Sequence, residues 1–184
     1  MEKFCLAILL LCTTALVTAA PINIGPPLGS KVPDLSVVDS SGATRNLASV
    51  SGIKGTVLVF FRSADWCPFC QVQLMSLKDV VEPLNTRGYR LVAISYDNSQ
   101  VLAGFSKKRK INYTLLSDVG SKTIDAFGIR NPEIKPGSSA YGVPLPAIFI
   151  VSPAGVILDK LAVGGYRERP ENEAILEAID KLPK

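Results

Sequence analysis

The chain has 184 residues, of which 47% are hydrophobic and 20% are charged, a composition typical of a globular protein with a packed core. Its formal net charge of +4 is too small to indicate a nucleic-acid-binding protein, and we expect no nucleic-acid partner. The sequence contains no histidine, which excludes a Cys–His catalytic dyad and removes a common metal ligand.

Residues 1–19 predict a secretory signal peptide. Lys3 supplies a positive charge before an uninterrupted apolar run over residues 4–11, and the small residues Val17 and Ala19 suit cleavage after Ala19. The apolar run is shorter than the roughly 20 residues of a transmembrane helix, which argues against an N-terminal membrane anchor. We therefore expect a protein that is exported to the periplasm or secreted, with no transmembrane segment in the mature chain.

A mature chain of about 165 residues is long enough for one domain. We expect an extended lead-in over residues 20–33 and a single domain over residues 34–184. Near its start, "PDLSVVDSSGATRNL" predicts a β-hairpin that turns at Ser41 and Gly42. "TVLVFF", residues 56–61, is a β-branched and aromatic run typical of a strand buried on both faces of a sheet.

Cys67 and Cys70 follow this strand, and they remain alone once Cys5 and Cys12 leave with the signal peptide. A disulfide that closes so short a loop is a poor structural staple. Structural zinc needs four ligands, and a chain with two cysteines and no histidine could supply them only if two chains shared their cysteines. The sequence therefore indicates no metal and no other cofactor, and it favours a dithiol that opens and closes outside the reducing cytosol.

The two cysteines lie at the start of a predicted amphipathic helix. Residues 65–67 precede its first turn, Pro68 suits that turn because its missing amide is not needed there, and the helix ends at Gly88. Pro83 is expected to kink its last turn. One face carries apolar residues at spacings of four, three, four and three: Cys70, Leu74, Leu77, Val81 and Leu84.

This placement predicts different roles for the two sulfur atoms. Cys67 falls at an exposed helix N-terminus, where amides and the helix dipole lower a thiol pKa from about 8.5 into a range of about 3.5 to 7.5, and we expect it to be the nucleophile. Arg62, at the end of the preceding strand, adds positive charge. Cys70 lies one turn further on, facing the sheet, and we expect it to be the resolving thiol. The alternative, two inert buried cysteines, would not explain a cysteine at an exposed helix start.

The rest of the chain alternates strands and helices. The basic cluster at residues 107–110 is interpreted as the solvated face of a helix rather than a docking site. The predicted elements are a strand over residues 91–94, a helix over 98–110, a strand over 113–118, a helix over 121–128, a β-hairpin over 146–161 and a helix over 169–182.

This order resembles the thioredoxin fold, an α/β fold with a central mixed β-sheet flanked by helices, here with an N-terminal β-hairpin extension. More closely, "GTVLVFFRSADWCPFCQVQL", the "FG" of Phe127 and Gly128, and "PAIFIVSPAGVI" resemble the peroxiredoxin-like branch of the alkyl hydroperoxide reductase and thiol-specific antioxidant (AhpC/TSA) family. The resemblance extends over about residues 28–183.

The resemblance implies thiol-based reduction of peroxides, but three positions depart from the family pattern. Typical members carry Pro-x-x-x-Thr-x-x-Cys, and the corresponding proline and threonine positions here are Phe60 and Ala64. Ser63, one place away, is a substitute for the threonine. The arginine expected before the last apolar strand is replaced by Pro146, as in thioredoxins.

In thioredoxins a cis-proline faces the cysteine pair, so we expect a cis peptide bond between Leu145 and Pro146. The resemblance then implies a substrate groove beside the pair, formed by Trp66, Pro146, Arg62 and Ser63.

Two enzymatic interpretations follow. In the first, a thiol-disulfide oxidoreductase with antioxidant-type activity cycles Cys67 and Cys70 between dithiol and disulfide to reduce or exchange disulfides. In the alternative, Cys67 attacks hydrogen peroxide or an organic hydroperoxide, and Cys70 resolves the sulfenic acid. Both need an external thiol or disulfide-carrying electron donor, and we expect disulfide exchange to be at least as fast as peroxide reduction. A non-enzymatic redox-sensing or metal-binding module is the third hypothesis.

Overall fold

The computed structural model describes residues 23–164 and 167–183. The predicted signal peptide lies outside the described residues. Across those two ranges, no helix combines the length and the apolar character that crossing a bilayer requires.

A seven-stranded mixed sheet runs through the described part of the chain. β3 (Gly55–Phe60) pairs in parallel with β4 (Tyr89–Ser95) on one side and antiparallel with β6 (Ala147–Val151) on the other. β5 (Thr114–Ser117) pairs in parallel with β4, and β7 (Ile157–Leu161) pairs antiparallel with β6. The predicted strand over residues 56–61 is therefore an interior strand of the sheet.

The predicted N-terminal hairpin is confirmed. β1 (Val37–Asp39) and β2 (Thr44–Arg45) pair antiparallel, and the turn between them places Gly42 at a φ of 86°, which favours glycine. β1 also pairs antiparallel with β5, so the hairpin extends the sheet at one edge. The strand order is β2-β1-β5-β4-β3-β6-β7.

The α-helices of the described residues pack on both faces of this sheet. The predicted helices after residues 98, 121 and 169 are all present, whereas the first short helix was not predicted. The helices are α1 (Leu47–Val50), α2 (Pro68–Ser76), α3 (Val81–Thr86), α4 (Ser99–Arg109), α5 (Lys122–Ala126) and α6 (Asn172–Asp180).

The predicted single helix from Pro68 to Gly88 is interrupted earlier than expected. α2 and α3 are separated by a 3₁₀ turn, Leu77–Val80, so the irregularity precedes Pro83 instead of following it. Pro83 has no amide to donate to the carbonyl of Asp79, and its ring excludes that carbonyl from α-helical geometry. The preceding turn therefore tightens into 3₁₀ geometry.

Two hydrophobic clusters cover the faces of the sheet, because successive strand residues point to opposite faces. Val57 and Val59 of β3 join α2, α3, α4 and α6 on one face. Leu58 and Phe60 join α1 and α5 on the other, where Phe60 packs against the rings of Phe127 and Phe149. Both cysteines belong to the first cluster. This mixed sheet with helices on both faces confirms the predicted fold class.

The expected cis peptide bond is wrong: the bond between Leu145 and Pro146 is trans. The chain before β6 is extended, since Arg130 and Pro144 form an antiparallel bridge and the Leu145 amide donates to the Ile129 carbonyl over 2.7 Å. A trans bond carries this extended segment directly into β6, and no turn is needed at Pro146.

Candidate active site

Cys67 caps the N-terminus of α2. Its Sγ accepts a hydrogen bond from the Cys70 amide at 3.2 Å, and Pro68 occupies the first turn as predicted. Cys67 and Cys70 are joined by a disulfide, with their Cα atoms 5.2 Å apart. When the disulfide is reduced, the same amide is placed to stabilise a thiolate on Cys67.

The expectation that Cys67 is exposed is wrong for this disulfide form. Both cysteines have a relative exposure of 0%. They belong to the cluster that contains Leu74 of α2 and Ile175 of α6, and two arginine side chains contact the sulfur atoms. Burial of the pair follows from this packing around the helix start, which the helical pattern alone did not show.

The first of these arginines is Arg62, which follows β3 by two residues. Its Nη2 atom lies 3.4 Å from the Cys67 Sγ, and the residue is buried. Its guanidinium also lies 5.3 Å from the ring centroid of Trp66, which keeps 42% of its surface exposed. The structure therefore places a cation, a helix N-terminus and a partly exposed aromatic ring around Cys67.

The loop that carries Cys67 is held by Asp97, a residue that the sequence analysis missed. Its carboxylate accepts hydrogen bonds from the Ser63 hydroxyl at 2.8 Å, the Ala64 amide at 2.7 Å and the Ser95 hydroxyl at 3.0 Å. Burial raises the pKa of Asp97, and these hydrogen bonds oppose the shift. The only sequence signal was the position of Asp97, two residues after the end of β4.

Ser63, predicted to line the groove, is fully buried and its hydroxyl is engaged within this loop. The hydroxyl donates to Asp97 and accepts from the Asp65 amide at 3.0 Å. Ala64, at the position where the family carries threonine, is also buried. The contacts made by Ser63 and Ala64 thus shape the loop that leads to Cys67.

Trp66 links this loop to a second one. Its Nε1 donates to the Tyr96 hydroxyl at 2.9 Å, and that hydroxyl donates to the Ser139 carbonyl at 3.1 Å. Ser139 belongs to the long loop over residues 131–144. Pro146 is half-buried at the end of that loop, one residue before the Ala147 that pairs with Phe60. The predicted groove residues therefore lie along the same end of the sheet.

The second arginine, Arg169, is the residue that sequence reasoning missed most completely. It lies between β7 and α6, and its Nη2 atom is 3.4 Å from the Cys70 Sγ. Its Nε donates to Gln73 Oε1 at 3.1 Å. Burial, together with the like charge of Arg62, lowers the pKa of Arg169 to about 10, so it stays protonated at neutral pH. Its separation from Cys70 by 99 residues left no local pattern to detect.

Within residues 23–164 and 167–183, the structure contains no group of three or more cysteine, aspartate or glutamate side chains that could hold a metal ion.

Comparison with known proteins gives a consistent family assignment. Residues 28–160 match the model of the AhpC/TSA family. The chain is 31% identical over 115 residues to the peroxiredoxin Bcp of Escherichia coli K12, spanning 62% of this chain and 72% of that protein. It is 35% identical over 101 residues to the chloroplastic peroxiredoxin Q of Sedum lineare, spanning 55% of this chain and 53% of that protein.

Solved structures show the same fold. The peroxidoxin BcpB of Mycobacterium tuberculosis superposes with a TM-score of 0.73 at 21% identity, covering 88% of this chain and all of that one. A peroxiredoxin-like protein from Aquifex aeolicus superposes with a TM-score of 0.72 at 17% identity, covering 90% of this chain and 92% of that one.

Proposed function

The chain belongs to the AhpC/TSA family, and from this premise we propose that it is a thiol peroxidase acting on hydrogen peroxide and organic hydroperoxides. Cys67 is the nucleophile and Cys70 the resolving thiol. The observation that carries the proposal is the environment of the Cys67 Sγ, which meets the Arg62 guanidinium at 3.4 Å and the Cys70 amide at 3.2 Å. A cation and a helix N-terminus together favour the thiolate that a peroxidase needs.

The reaction proceeds in three steps. The Cys67 thiolate attacks the terminal oxygen of the peroxide, the O–O bond breaks, and a sulfenic acid forms on Cys67. The leaving group is an alkoxide from an organic hydroperoxide or hydroxide from hydrogen peroxide, and it takes up a proton to leave as an alcohol or as water. The Cys70 thiolate then attacks that sulfur, and hydroxide leaves as water after taking up a proton. An external thiol donor reduces the resulting disulfide by thiol-disulfide exchange.

Peroxide reduction now ranks ahead of disulfide exchange, which reverses the order expected from the sequence. That expectation depended on Ala64 and Pro146 occupying the usual places of the threonine and the arginine. Arg62 supplies a guanidinium to Cys67 from a different position, and the relatives reported above are named as peroxiredoxins. Disulfide exchange remains the second candidate because Ala64 cannot supply the hydroxyl of the family's threonine.

Stopped-flow oxidation of the reduced protein tests this ranking. We expect hydrogen peroxide or an organic hydroperoxide to oxidise the protein much faster than a model disulfide does. Cys67→Ser abolishes the first step, whereas Cys70→Ser retains it and accumulates a sulfenic acid that a dimedone probe traps. A model disulfide that reacts faster than both peroxides would restore the original order, and oxidation no faster than that of a free thiol would favour the redox-sensing module.

We also propose that the protein is exported, with cleavage after Ala19. The support is the sequence pattern of Lys3, the apolar run over residues 4–11, and the small residues Val17 and Ala19. Intact mass spectrometry of the protein from its native source decides the matter: a chain that begins at Ala20 is expected, and one that still begins at Met1 or Glu2 contradicts export by this route.

A further inference from the structure

The resolving cysteine, Cys70, is contacted by an arginine other than the one that contacts Cys67. Arg169 reaches Cys70 from the segment before α6 and approaches its sulfur to 3.4 Å, the same separation as that between Arg62 and the Cys67 sulfur. The Nε of Arg169 donates to Gln73 Oε1, which lies one turn along α2 from Cys70. The guanidinium is thus anchored to the helix that carries the sulfur it contacts.

Ionisation of the Cys70 thiol depends more on a nearby cation than ionisation of the Cys67 thiol does. Cys67 receives a backbone amide at the helix N-terminus, whereas Cys70 lies inside the first turn and is fully buried in the apolar cluster. Burial of a thiol in apolar surroundings disfavours its charged form and raises its pKa. A buried resolving thiol without a cation would therefore remain protonated at neutral pH and attack slowly.

The charges around Cys70 are unevenly distributed. α2 itself, "PFCQVQLMS", carries no charged residue. The segment before α6 contributes Arg167, Glu168 and Arg169, and the end of β3 contributes Arg62. Of these side chains, Arg167 lies 5.8 Å from the Phe69 ring centroid and Glu168 is exposed.

Two further titratable groups lie near α2. Tyr113 packs against the same cluster and donates its hydroxyl to the Leu74 carbonyl, and burial raises its pKa. Asp65 is exposed at the loop before the helix. Among the described residues, the charged groups that contact the sulfur pair are therefore the guanidinium groups of the buried Arg62 and the half-buried Arg169.

We propose that Arg169 is a catalytic residue that holds Cys70 as a thiolate for the resolving step. The disulfide sulfur in the structure stands in for that thiolate. This inference rests on the proposed peroxidase function and deepens it. In the step, the Cys70 thiolate donates its electron pair to the sulfur of the Cys67 sulfenic acid, the S–O bond breaks, and hydroxide leaves as water with a proton from solvent. Arg62 stabilises the Cys67 thiolate that attacks the peroxide, and Arg169 stabilises the Cys70 thiolate that attacks the sulfenic acid, so each chemical step has its own cation.

The first test measures ionisation and needs no turnover. The thiolate absorbance near 240 nm is followed against pH in Cys67→Ser, and the signal of the Cys67→Ser/Cys70→Ser double variant is subtracted, so that only Cys70 remains. Adding Arg169→Met to the Cys67→Ser background is expected to raise the pKa of Cys70 by about one to two units, because an opposite charge at this distance is removed. Arg169→Lys is expected to recover part of the shift.

Arg167→Met is the matched control, since it removes a cation from the same segment that lies against Phe69 and not against a cysteine. It should leave the Cys70 titration unchanged. An unchanged titration in Arg169→Met, or an equal shift in Arg167→Met, would overturn the proposal. Both outcomes are independent of whether peroxide is the substrate.

The second test separates the two chemical steps in the otherwise native chain. Arg169→Met should leave the rate of Cys67 oxidation by hydrogen peroxide within about twofold. Disulfide formation should slow by about 3- to 10-fold at pH 7, since the thiolate fraction falls tenfold per pKa unit while intrinsic nucleophilicity partly compensates. The deficit should shrink as the pH rises. Slowing of the first step alone would assign Arg169 to Cys67 and contradict the proposal. A protein that peroxide does not oxidise at all would refute the proposed function while leaving the ionisation test valid.

Discussion

The chemistry of Cys67 depends on Arg62, which lies five positions earlier in the chain, just after the end of β3. β3 ends at Phe60, and Arg62 then turns its guanidinium towards the Cys67 sulfur at 3.4 Å and towards the Trp66 ring. In a buried site this contact is electrostatically stronger than it would be in water. Arg62 therefore brings a guanidinium to Cys67 from a position other than that of the family's arginine, where this chain has Pro146.

Replacing Arg62 tests this role at the scale of one side chain. Arg62→Met is expected to raise the pKa of the Cys67 thiol by about one to two units, because the nearest cation is lost. Hydrogen peroxide should then oxidise Cys67 roughly tenfold more slowly at pH 7, with the deficit shrinking at higher pH. The measurement is the stopped-flow rate of oxidation against pH, and Arg62→Lys should retain part of the wild-type rate. A rate that falls equally at every pH would indicate a purely steric role.

At the scale of elements, one carboxylate, that of Asp39, joins the turn of the β1–β2 hairpin to Arg45 of its second strand. Asp39 accepts from the Ser41 hydroxyl at 2.6 Å, from the amides of Ser41 and Ala43, and from Arg45 Nε at 2.7 Å. The hydrogen bond from the Ser41 hydroxyl lowers the pKa of Asp39 most, and those from Arg45 and the two amides add to this effect. Although burial acts in the opposite direction, the pKa falls from its ordinary 3.8 to about 2. The hairpin thus depends on Asp39 being charged.

This dependence predicts how the hairpin responds to acid. A carboxyl group whose pKa is lowered in the folded state contributes stability above its unfolded pKa, and the contribution is lost as the pH falls from about 4 towards 2. Asp39→Asn should therefore lower the free energy of unfolding by about 1 kcal/mol at pH 7, a modest amount because solvent screens the partly exposed Arg45. The difference from wild type should shrink below pH 4.

Urea unfolding across pH 2.5 to 7 measures this difference. Asp34→Asn, an exposed residue of the same segment, is the matched control and should track the wild type. A difference between Asp39→Asn and wild type that persists undiminished at pH 2.5 would show that the loss comes from geometry and not from the charge.

At the scale of the whole molecule, the site joins segments that are far apart in the chain. The loop after β3 supplies Arg62 and Cys67, Tyr96 follows β4, the loop over residues 131–144 precedes β6, and Arg169 precedes α6. Trp66, Tyr96 and Ser139 connect three of these segments by two hydrogen bonds. Tyr96 is therefore the link between the cysteine loop and the long loop.

Removing one hydroxyl tests this link. Tyr96→Phe should speed hydrogen exchange of the amides over residues 138–141 and change the fluorescence of Trp66, the single tryptophan of the chain. The free energy of unfolding should fall by about 1 kcal/mol, since two hydrogen bonds are lost at a partly exposed position. Tyr141→Phe, which keeps the ring against Arg130, is the control. Unchanged exchange over residues 138–141 in Tyr96→Phe would mean that the long loop is held by other contacts.

Much of the fold could be predicted because its signals are local. The apolar run of β3, the spacing of Leu74 and Leu77 on the cysteine helix and the Ser41–Gly42 turn each lie within a short window, where periodicity and turn chemistry decide the structure. The position of Cys67 at the N-terminus of α2 followed from the same reasoning. The interruption before Pro83 was placed one turn too late, because proline acts on the turn that precedes it.

Most of the elements, their order and the position of the two cysteines at a helix start could be predicted from the sequence, because these features depend on neighbouring residues. The folded structure was needed to show that both cysteines are buried, that Asp97 holds the cysteine loop and that Arg169 contacts Cys70. It also decided that the bond before Pro146 is trans, through the pairing of that segment with residues 129–131. Each of these features depends on contacts between residues at least a dozen positions apart in the chain, and such contacts exist only once the sheet has assembled and brought the ends of its strands together.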